Sequence, residues 1–321
     1  MRLRLLKQVR AGCKAVAERA AHIQINYDLI PAYAESLPLE SAIQPEHDSE
    51  SHYLGQNEDT AAFFLTLDSI NFGSGYFPHL HKRPAMSGYF TVASCLNNRF
   101  KKKGPFSALE LTRLTPEDCR QIFEQDSDSK PIGELMRLFA KALNDLGWYV
   151  QQDFNGSFTE LIEAAGASAE RLMQLLIRMP YFYDVQLYDQ IEVPFYKRAQ
   201  LAAADLSLAF EGQGPGRFDD LQNLTIFADN LVPHVLRVDN ILLYTEALIS
   251  RIDAGKLIPA GSAEEIEIRA CALHAVELLK NAIGASGHKM TSMGLDFLLW
   301  NRGQQPVYKS IPRHRSRTVF Y

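Results

Sequence analysis

One carboxylate stands out because it lies in an almost wholly apolar run. Asp229 is the only charge in the segment LTIFADNLVPHVL, close behind Phe227 and ahead of Pro233. Burying a carboxylate costs free energy unless the group has a partner or a chemical task. Asp229 is therefore a candidate for catalysis, and Phe227 is a candidate substrate-binding residue of the same site. Because Pro233 indicates a helix break close by, Asp229 as a helix cap stays an equal alternative from these residues alone.

Two other segments mix polar groups with aromatic rings. MGLDFLLWNRGQ carries Asp296, Phe297 and Asn301, a combination suited to a flat heterocyclic base, which needs stacking planes and a few edge hydrogen bonds. A capped helix is the structural alternative. LDSINFGSGYF carries Asp68, Asn71 and Phe72. Here the structural alternative is a strand that ends in a turn capped by Asp68, and it is favoured over a site.

Three cations are candidates for binding a phosphate group. Lys197 lies beside two aromatic residues in PFYKRAQLAAADLSLAF, and Arg313 and Arg317 belong to the basic run IPRHRSR. Charge-assisted hydrogen bonds from such groups suit phosphate oxygens. The structural alternatives are a snorkelling lysine at a helix end and a solvated basic tail.

Composition excludes several classes of function. The net charge of -5 argues against a protein that wraps nucleic acid along a basic face. No P-loop, G-x-S-x-G elbow, H-E-x-x-H or dinucleotide-binding motif occurs, and no histidine pair has helical metal-binding spacing, so we expect neither cofactor nor metal. No apolar run reaches the roughly 20 residues of a membrane span. The four cysteines are far apart, which is typical of reduced thiols in a cytoplasmic protein.

The hydrophobic patterns predict a mainly α fold with a small β element. Helical spacing indicates helices near the N-terminus and over 135–146, 160–178 with a break at Gly166, and 195–210. Ser262 and Glu265 form the sequence signature of a capping box before another helix. The run AAFFLTLDSINF could be a buried strand, and RTVFY a strand or an anchored tail. We expect one domain over 1–321, with an N-terminal helix and acidic loop in 1–59 and a helical core in 60–321.

Several short segments, in a fixed order, resemble the queuosine salvage proteins, the queuosine 5'-phosphate N-glycosylase/hydrolase family. The resemblance covers nearly everything after the acidic loop, and no single segment is specific without the others. The matching segments are SGYF at 87–90, F-x-x-D-S-D at 123–128, FYKRAQ at 195–200, ADL at 204–206, IFAD at 226–229, E-I-E-I-R-A-C at 265–271, LW at 299–300 and the terminal IPRHRSRTVFY.

This resemblance implies a helical fold similar to DNA glycosylases, and cleavage of the bond between queuine, a 7-deazaguanine, and ribose 5-phosphate without a metal or organic cofactor. It places the catalytic carboxylate at Asp229 and base-binding residues at His52 and from Asp296 to Asn301. Positive charge builds on the sugar ring as a base departs, and a preorganised carboxylate stabilises it. Asp296 and His52 are the candidates for donating a proton to the base.

The chain also departs from the family pattern. The usual F-A-D-Y-R-x-P is FADNLVP, with Asn230 and Leu231 as replacements, and D-Y-x-L-W-D is DFLLWN, with Phe297 and Asn301 as replacements. The segment often written N-F-x-F-W is NFGSGYF. These departures leave two alternatives to a small-nucleotide glycosidase. One is a non-catalytic paralogue that binds a base or nucleotide, and the other is a glycosylase acting on nucleic acid, suggested by the basic tail and KKK at 101–103.

Overall fold

The computed structural model describes residues 5–39, 46–126 and 129–321. Within these ranges the chain is mainly helical, with two antiparallel sheets of two short strands each. The strands are β1 (Ile23–Ile25), β2 (Val185–Tyr188), β3 (Ile191–Pro194) and β4 (Leu242–Tyr244). The helices are α1 (Leu5–Ala17), α2 (Ile30–Ser36), α3 (Asn57–Ser69), α4 (Gly88–Lys103), α5 (Ala108–Leu111), α6 (Pro116–Ile122), α7 (Lys130–Asp153), α8 (Phe158–Glu163), α9 (Ala169–Leu176), α10 (Lys197–Ala209), α11 (Val232–Val238), α12 (Glu246–Asp253), α13 (Ala263–Ala285), α14 (Ser292–Arg302) and α15 (Pro306–Lys309).

The predicted mainly α fold with a small β element is confirmed. By its internal packing the chain divides into two compact units. The first unit comprises residues 1–45, 184–197 and 222–317, and the second comprises 46–183, 198–221 and 318–321. The assignment of 1–321 to a single domain stays a prediction, as does the similarity to DNA glycosylases. Among the described residues, no helix combines the length and the apolar character needed to cross a bilayer.

The first unit is built around α13, whose residues from 265 to 273 are all buried. α1 packs against α13 and β3 through Val9, Cys13 and Val16, which confirms the predicted amphipathic first helix. β1 pairs with β4, and β2 with β3. The β2–β3 hairpin turns at Asp189 and Gln190, both in the left-handed region at φ 46° and 64°, as a tight primed turn requires.

The N-terminus of α13 confirms one half of the predicted capping box. The Ser262 side chain accepts the backbone N–H of Glu265 at 3.3 Å, as predicted. The Glu265 carboxylate accepts the N–H of Gly261 at 3.1 Å, one residue earlier than the box requires. The Ser262 cap is therefore present as predicted. The reciprocal half of the capping box is wrong, because the Glu265 carboxylate accepts the N–H of Gly261 and not that of Ser262.

In the second unit, α3 corrects the prediction of a buried strand. The run AAFFLTLDSINF is helical up to Ser69, and every α3 residue from Thr60 onwards is buried. A helix that is buried on all sides shows no amphipathic period, so its sequence looks like that of a buried strand. Asp68 therefore lies inside a helix and caps no strand.

The other long patterns of the second unit are confirmed as helices. α7 covers the predicted stretch 135–146, and α8 and α9 are separated at Gly166, whose φ is +59°. α10 begins at Lys197, two residues later than predicted. Residues 318–321 form an anchored tail without ladder pairing, in which the Tyr321 carbonyl accepts the N–H of Gly73 at 3.0 Å. The last two residues of the 123–128 match lie outside the described residues.

Candidate active site

Asp229 lies in an irregular loop of the first unit, residues 224–231, just before α11. Its Oδ1 accepts the backbone N–H of Leu231 at 2.7 Å, and the side chain is partly exposed. Among the described residues, its other carboxylate oxygen receives no hydrogen bond. Pro233 stands in the first turn of α11, where its missing N–H is harmless. Asp229 thus orders the turn before α11 while one oxygen remains available to a ligand.

Asp296, on α14, is the second carboxylate of this region. Its side chain is buried, and Oδ1 accepts the backbone N–H of Phe227 at 2.8 Å. Burial raises the pKa of Asp296, the negative charge of Asp229 raises it further, and the Phe227 N–H and the Lys197 cation lower it, giving about 7. Two carboxyl groups in unequal surroundings are the arrangement from which an acid and a base can be drawn.

Aromatic rings flank these carboxyl groups. Phe227 is buried, and its ring meets the partly exposed Phe297 ring edge to face, with centroids 6.2 Å apart at 75°. Asn301 follows on α14, partly exposed, and among the residues described its side-chain amide makes no hydrogen bond. The structure thus brings Phe227 and Phe297 together, as the predicted base-binding role requires, and leaves the Asn301 amide available.

Two of the three predicted phosphate ligands lie near the carboxyl groups. Lys197 is buried, and its charge acts on Asp296. Arg313 is exposed to solvent, yet loss of hydration lowers its pKa, opposed by the charge of Asp229. A side chain such as Arg313 can be both solvent-exposed and surrounded by protein atoms when it lines a recess. Arg317 is partly buried, and its predicted role in phosphate binding stays a prediction.

A recess of about 350 Å³ opens beside the Asp229 loop, within the first unit. The lining includes the basic side chains of Lys309, Arg313 and Arg315 and one acidic side chain, Asp253. The Asp253 carboxylate lies 3.8 Å from the guanidinium of Arg237. Such a lining favours an anion. The recess is lined by Leu231, His234, Ile252, Asp253, Gly255, Gly303, Tyr308, Lys309, Ile311, Pro312, Arg313 and Arg315.

His52, in the second unit, is buried and its Nε2 lies 3.0 Å from the Tyr89 hydroxyl. Its ring stacks on Phe64 at 6.0 Å and approaches His47 at 4.6 Å. Burial lowers the pKa of His52 to about 4, and the neighbouring His47 lowers it as well. The imidazole is therefore neutral near pH 7, which makes it a hydrogen-bonding group there rather than a proton donor.

Asp68, Asn71 and Phe72 lie together around the C-terminal end of α3 in the second unit. Asp68 is fully buried, and the Asn71 amide approaches its Oδ1 at 3.5 Å. The Arg198 guanidinium lies 5.0 Å from the centroid of the buried Phe72 ring and donates to the Asp68 carbonyl at 3.1 Å. A cation at the end of a helix stabilises its last carbonyl groups. The substrate-binding role of the three residues stays a prediction.

Comparison with known proteins identifies the family. The family model described as "Queuosine salvage protein" matches residues 51–321. The chain belongs to the queuosine salvage protein family. A relative from Sphaerobacter thermophilus is 35% identical over 313 residues, covering 96% of both chains. Relatives from Dictyostelium discoideum and Mus musculus are 30% and 29% identical, covering 98% and 97% of this chain and 99% and 98% of their own. All three are named queuosine 5'-phosphate N-glycosylase/hydrolase.

The two residues that follow the F-A-D segment are both buried. Asn230 is 5% exposed, and its amide reaches the His314 carbonyl at 3.5 Å. Leu231 is also 5% exposed and lines the recess described above. Among the described residues, no group of three or more His, Cys, Asp or Glu side chains is arranged to hold a metal ion.

Sequence reasoning missed one residue of this queuosine salvage protein that contacts the Asp229 loop. Arg269, on α13, is fully buried and its Nε donates to the Ala228 carbonyl at 2.9 Å. The run IRACAL offers a weak signal, since an arginine there is costly to bury, but the spacing from Glu265 is equally that of a solvated pair on a helix surface.

Proposed function

We propose that this chain hydrolyses queuosine 5'-phosphate to queuine and ribose 5-phosphate, with Asp229 as the carboxylate at the reacting sugar carbon. Membership in the family and the name shared by the relatives support the substrate and the reaction. One structural observation carries the assignment of roles. The charge of Asp229 reaches Asp296, and Asp296 is buried with a pKa raised to about 7.

The proposed reaction divides the work between the two carboxyl groups. The bond between the base nitrogen and the anomeric carbon breaks, and its electron pair leaves with the base. Asp229 stabilises the positive charge on the sugar ring. Protonated Asp296 donates a proton to the departing base, and water supplies the hydroxyl group that ends on the sugar carbon. Asp229 could accept the water proton or first bond the sugar carbon itself, since either route ends in the same products.

The phosphate end of the substrate is assigned to the cations of the first unit. Arg313 lines the basic recess and is acted on by the charge of Asp229, so a 5'-phosphate there would lie near the sugar. Lys197 is the second proposed ligand because its charge acts on Asp296. Arg317 is the third, on its charge alone.

The base end is assigned to aromatic and amide groups. Phe227 and Phe297 offer ring faces and edges of the kind a deazaguanine stacks on, and Asn301 offers an amide to its edge. In the second unit, His52 stays a predicted base-binding residue, and Asp68, Asn71 and Phe72 stay predicted substrate-binding residues. The His52 imidazole is neutral near pH 7, so Asp296 is the proposed proton donor.

The substrate is proposed to be a free nucleotide, and the protein a cytoplasmic one. The net charge of -5 disfavours broad contact with a polynucleotide. Cys13, Cys95, Cys119 and Cys271 are all free and buried, which suits a reducing compartment.

Mass spectrometry of the products tests this proposal. We expect wild-type protein to release queuine and ribose 5-phosphate from queuosine 5'-phosphate, and Asp229→Asn to lower kcat by at least about 100-fold. Asp189→Asn is the matched control, because Asp189 is exposed in the β2–β3 turn and Asn tolerates the same left-handed backbone. Absence of products from every 7-deazaguanine nucleotide would overturn the proposal, and tight binding without turnover would instead indicate a binding paralogue.

A further inference from the structure

The irregular loop that carries Asp229 is fixed by side chains from two helices. On one side, Asp296 accepts the N–H of Phe227. On the other, Arg269 donates from Nε to the Ala228 carbonyl at 2.9 Å. That carbonyl belongs to the peptide bond that joins Ala228 to Asp229. Because the loop has no helix or strand of its own, these bonds decide where the Asp229 backbone lies.

The same guanidinium holds a buried carboxylate. Arg269 Nη1 donates to Asp184 Oδ1 at 3.0 Å, and Nη2 donates to Oδ2 at 2.5 Å. The two side chains are 0% and 2% exposed. The centroid of the Phe195 ring lies 3.9 Å from the guanidinium carbon of Arg269. The guanidinium plane is therefore held by packing against this ring as well as by hydrogen bonds. A bidentate pair of this kind leaves the guanidinium little freedom to rotate.

Asp184 then extends the connection to Lys197. Its backbone carbonyl accepts the N–H of Phe195 at 2.9 Å, and its Oδ2 approaches the N–H of Lys197 at 3.4 Å. Between these two residues, Tyr196 has φ +49°, a left-handed conformation that costs free energy for an aromatic residue. The strained turn therefore starts α10 at Lys197, and the bonds to Asp184 hold it in place.

We propose that Arg269 and Asp184 form a positioning pair that keeps Asp229 and Lys197 in the geometry that the hydrolysis requires. The proposal rests on the proposed function, since it concerns the same carboxylate and the same cation. Stability alone does not account for the pair, because a buried ion pair can often be replaced by apolar residues at no cost. Apolar residues could not bond the Ala228 carbonyl or the Lys197 N–H.

The first test is Arg269→Lys. Lysine keeps the charge. Its compact ammonium group lacks the planar guanidinium, so it cannot donate to the Asp184 carboxylate and the Ala228 carbonyl at the same time. We expect kcat to fall on the order of 100-fold, the effect of misplacing a catalytic group by about 1 Å, with a smaller change in KM. If Asp229 moves away from Asp296, the pKa of Asp296 also falls, so the loss of activity at high pH should begin at a lower pH.

Glu267→Gln is the matched control. Glu267 lies on the same helix, is 0% exposed, and accepts the N–H groups of Ala21, His22 and Ile23. Its loss should also lower the unfolding temperature, but within the described part of the chain no hydrogen bond joins Glu267 to the Asp229 loop. We expect Glu267→Gln to keep the wild-type kcat and pH profile at temperatures where it is folded. An equal loss of kcat in both variants would overturn the proposal in favour of a purely structural role.

Hydrogen exchange gives a measurement that does not depend on activity. We expect Arg269→Lys to speed exchange in the peptide covering 224–231, and Glu267→Gln to leave it unchanged. If Arg269→Lys does not fold, Asp184→Asn serves instead, since it keeps the shape and one acceptor while removing the charge. Normal exchange, kcat and pH profile in a folded variant would overturn the positioning pair. An inactive wild-type protein would overturn the proposed function while leaving the exchange result to stand.

Discussion

Asp229 and Asp296 carry the same functional group in different surroundings. Asp229 is partly exposed and bonded to one backbone N–H, whereas Asp296 is buried beside Phe227 and feels the charge of Asp229. Burial and a neighbouring negative charge both favour the protonated form, and here they outweigh the cation of Lys197. The proposed acid is therefore the carboxyl group whose loss of hydration is greater.

The pH dependence of the reaction follows from this difference. The pKa of Asp296 is about 7 in the folded chain, so the proton that it donates is present below pH 7 and lost as the pH rises through that value. We expect kcat/KM for queuosine 5'-phosphate to fall above pH 7. Asp296→Asn should lower kcat by roughly 100-fold or more, because an amide cannot supply the proton.

The control for this prediction is the shape of the profile in the variant. The phosphate of the substrate also titrates near pH 6. The change in kcat/KM that this titration causes persists whatever residue occupies position 296. The limb near pH 7 should disappear in Asp296→Asn and remain in Asp189→Asn. If Asp296→Asn retained the limb near pH 7, the proton donor would be another group.

At the scale of elements, α13 carries Arg269, which donates the hydrogen bond to the Ala228 carbonyl of the Asp229 loop. Ser262 caps this helix, and the cap stabilises the first turn seven residues before Arg269. We expect Ser262→Ala to lower the free energy of unfolding by about 1 kcal/mol. Because the cap does not touch the Asp229 loop, kcat should stay within about twofold of wild type, a range equivalent to under 1 kcal/mol. Denaturant unfolding and steady-state kinetics measure the two quantities.

Ser286→Ala, at the other end of α13, is the matched control. Its hydroxyl donates to the Ile283 carbonyl at 2.9 Å, and Ser286 is exposed, so water replaces that bond. The expected loss of stability is a few tenths of a kcal/mol, typical of exposed surface positions. Equal losses at the two ends would show that the Ser262 cap contributes nothing specific.

The same helix shows how far the sequence could predict the site. The sequence singles out Asp229 because a single charge in an apolar run is costly to bury, and Asp296 because it is interleaved with aromatic rings. Their catalytic roles stay predictions. Glu265 and Arg269 are spaced like an ordinary solvated i, i+4 pair on a helix surface. The structure buries both, at 2% and 0% exposure and 3.6 Å apart. Only tertiary packing distinguishes a buried pair from a surface pair, so the role of Arg269 could not be read from spacing.

The element types were predictable wherever the apolar residues had a period. α7 shows a clear helical period and was predicted correctly. α3 has none, because it is buried on every side, so its sequence pattern predicts a strand and that prediction is wrong. The short strands β1 and β4 are three residues each and pair across more than 200 residues of sequence, which leaves no local signal to detect.

At the scale of the whole molecule, net charge separates the nucleotide hypothesis from the polynucleotide one. The chain carries 33 basic and 38 acidic residues, and this negative net charge disfavours broad contact with RNA. The run 101–103 has a structural explanation, since it ends α4, where cations stabilise the helix dipole. Lys101 also donates to the Ser49 carbonyl at 2.6 Å.

We therefore expect no mobility shift of tRNA at low salt, and no inhibition of queuosine 5'-phosphate hydrolysis by excess tRNA. Binding through phosphate contacts would be strongest at low salt and would weaken steeply as salt is added, so low salt is the most sensitive condition. The control variant replaces Lys101, Lys102 and Lys103 with alanine. A salt-sensitive shift that this variant abolishes would contradict the expectation and identify the end of α4 as a nucleic-acid surface. A shift that the variant retains would point to the basic residues of 313–317 instead.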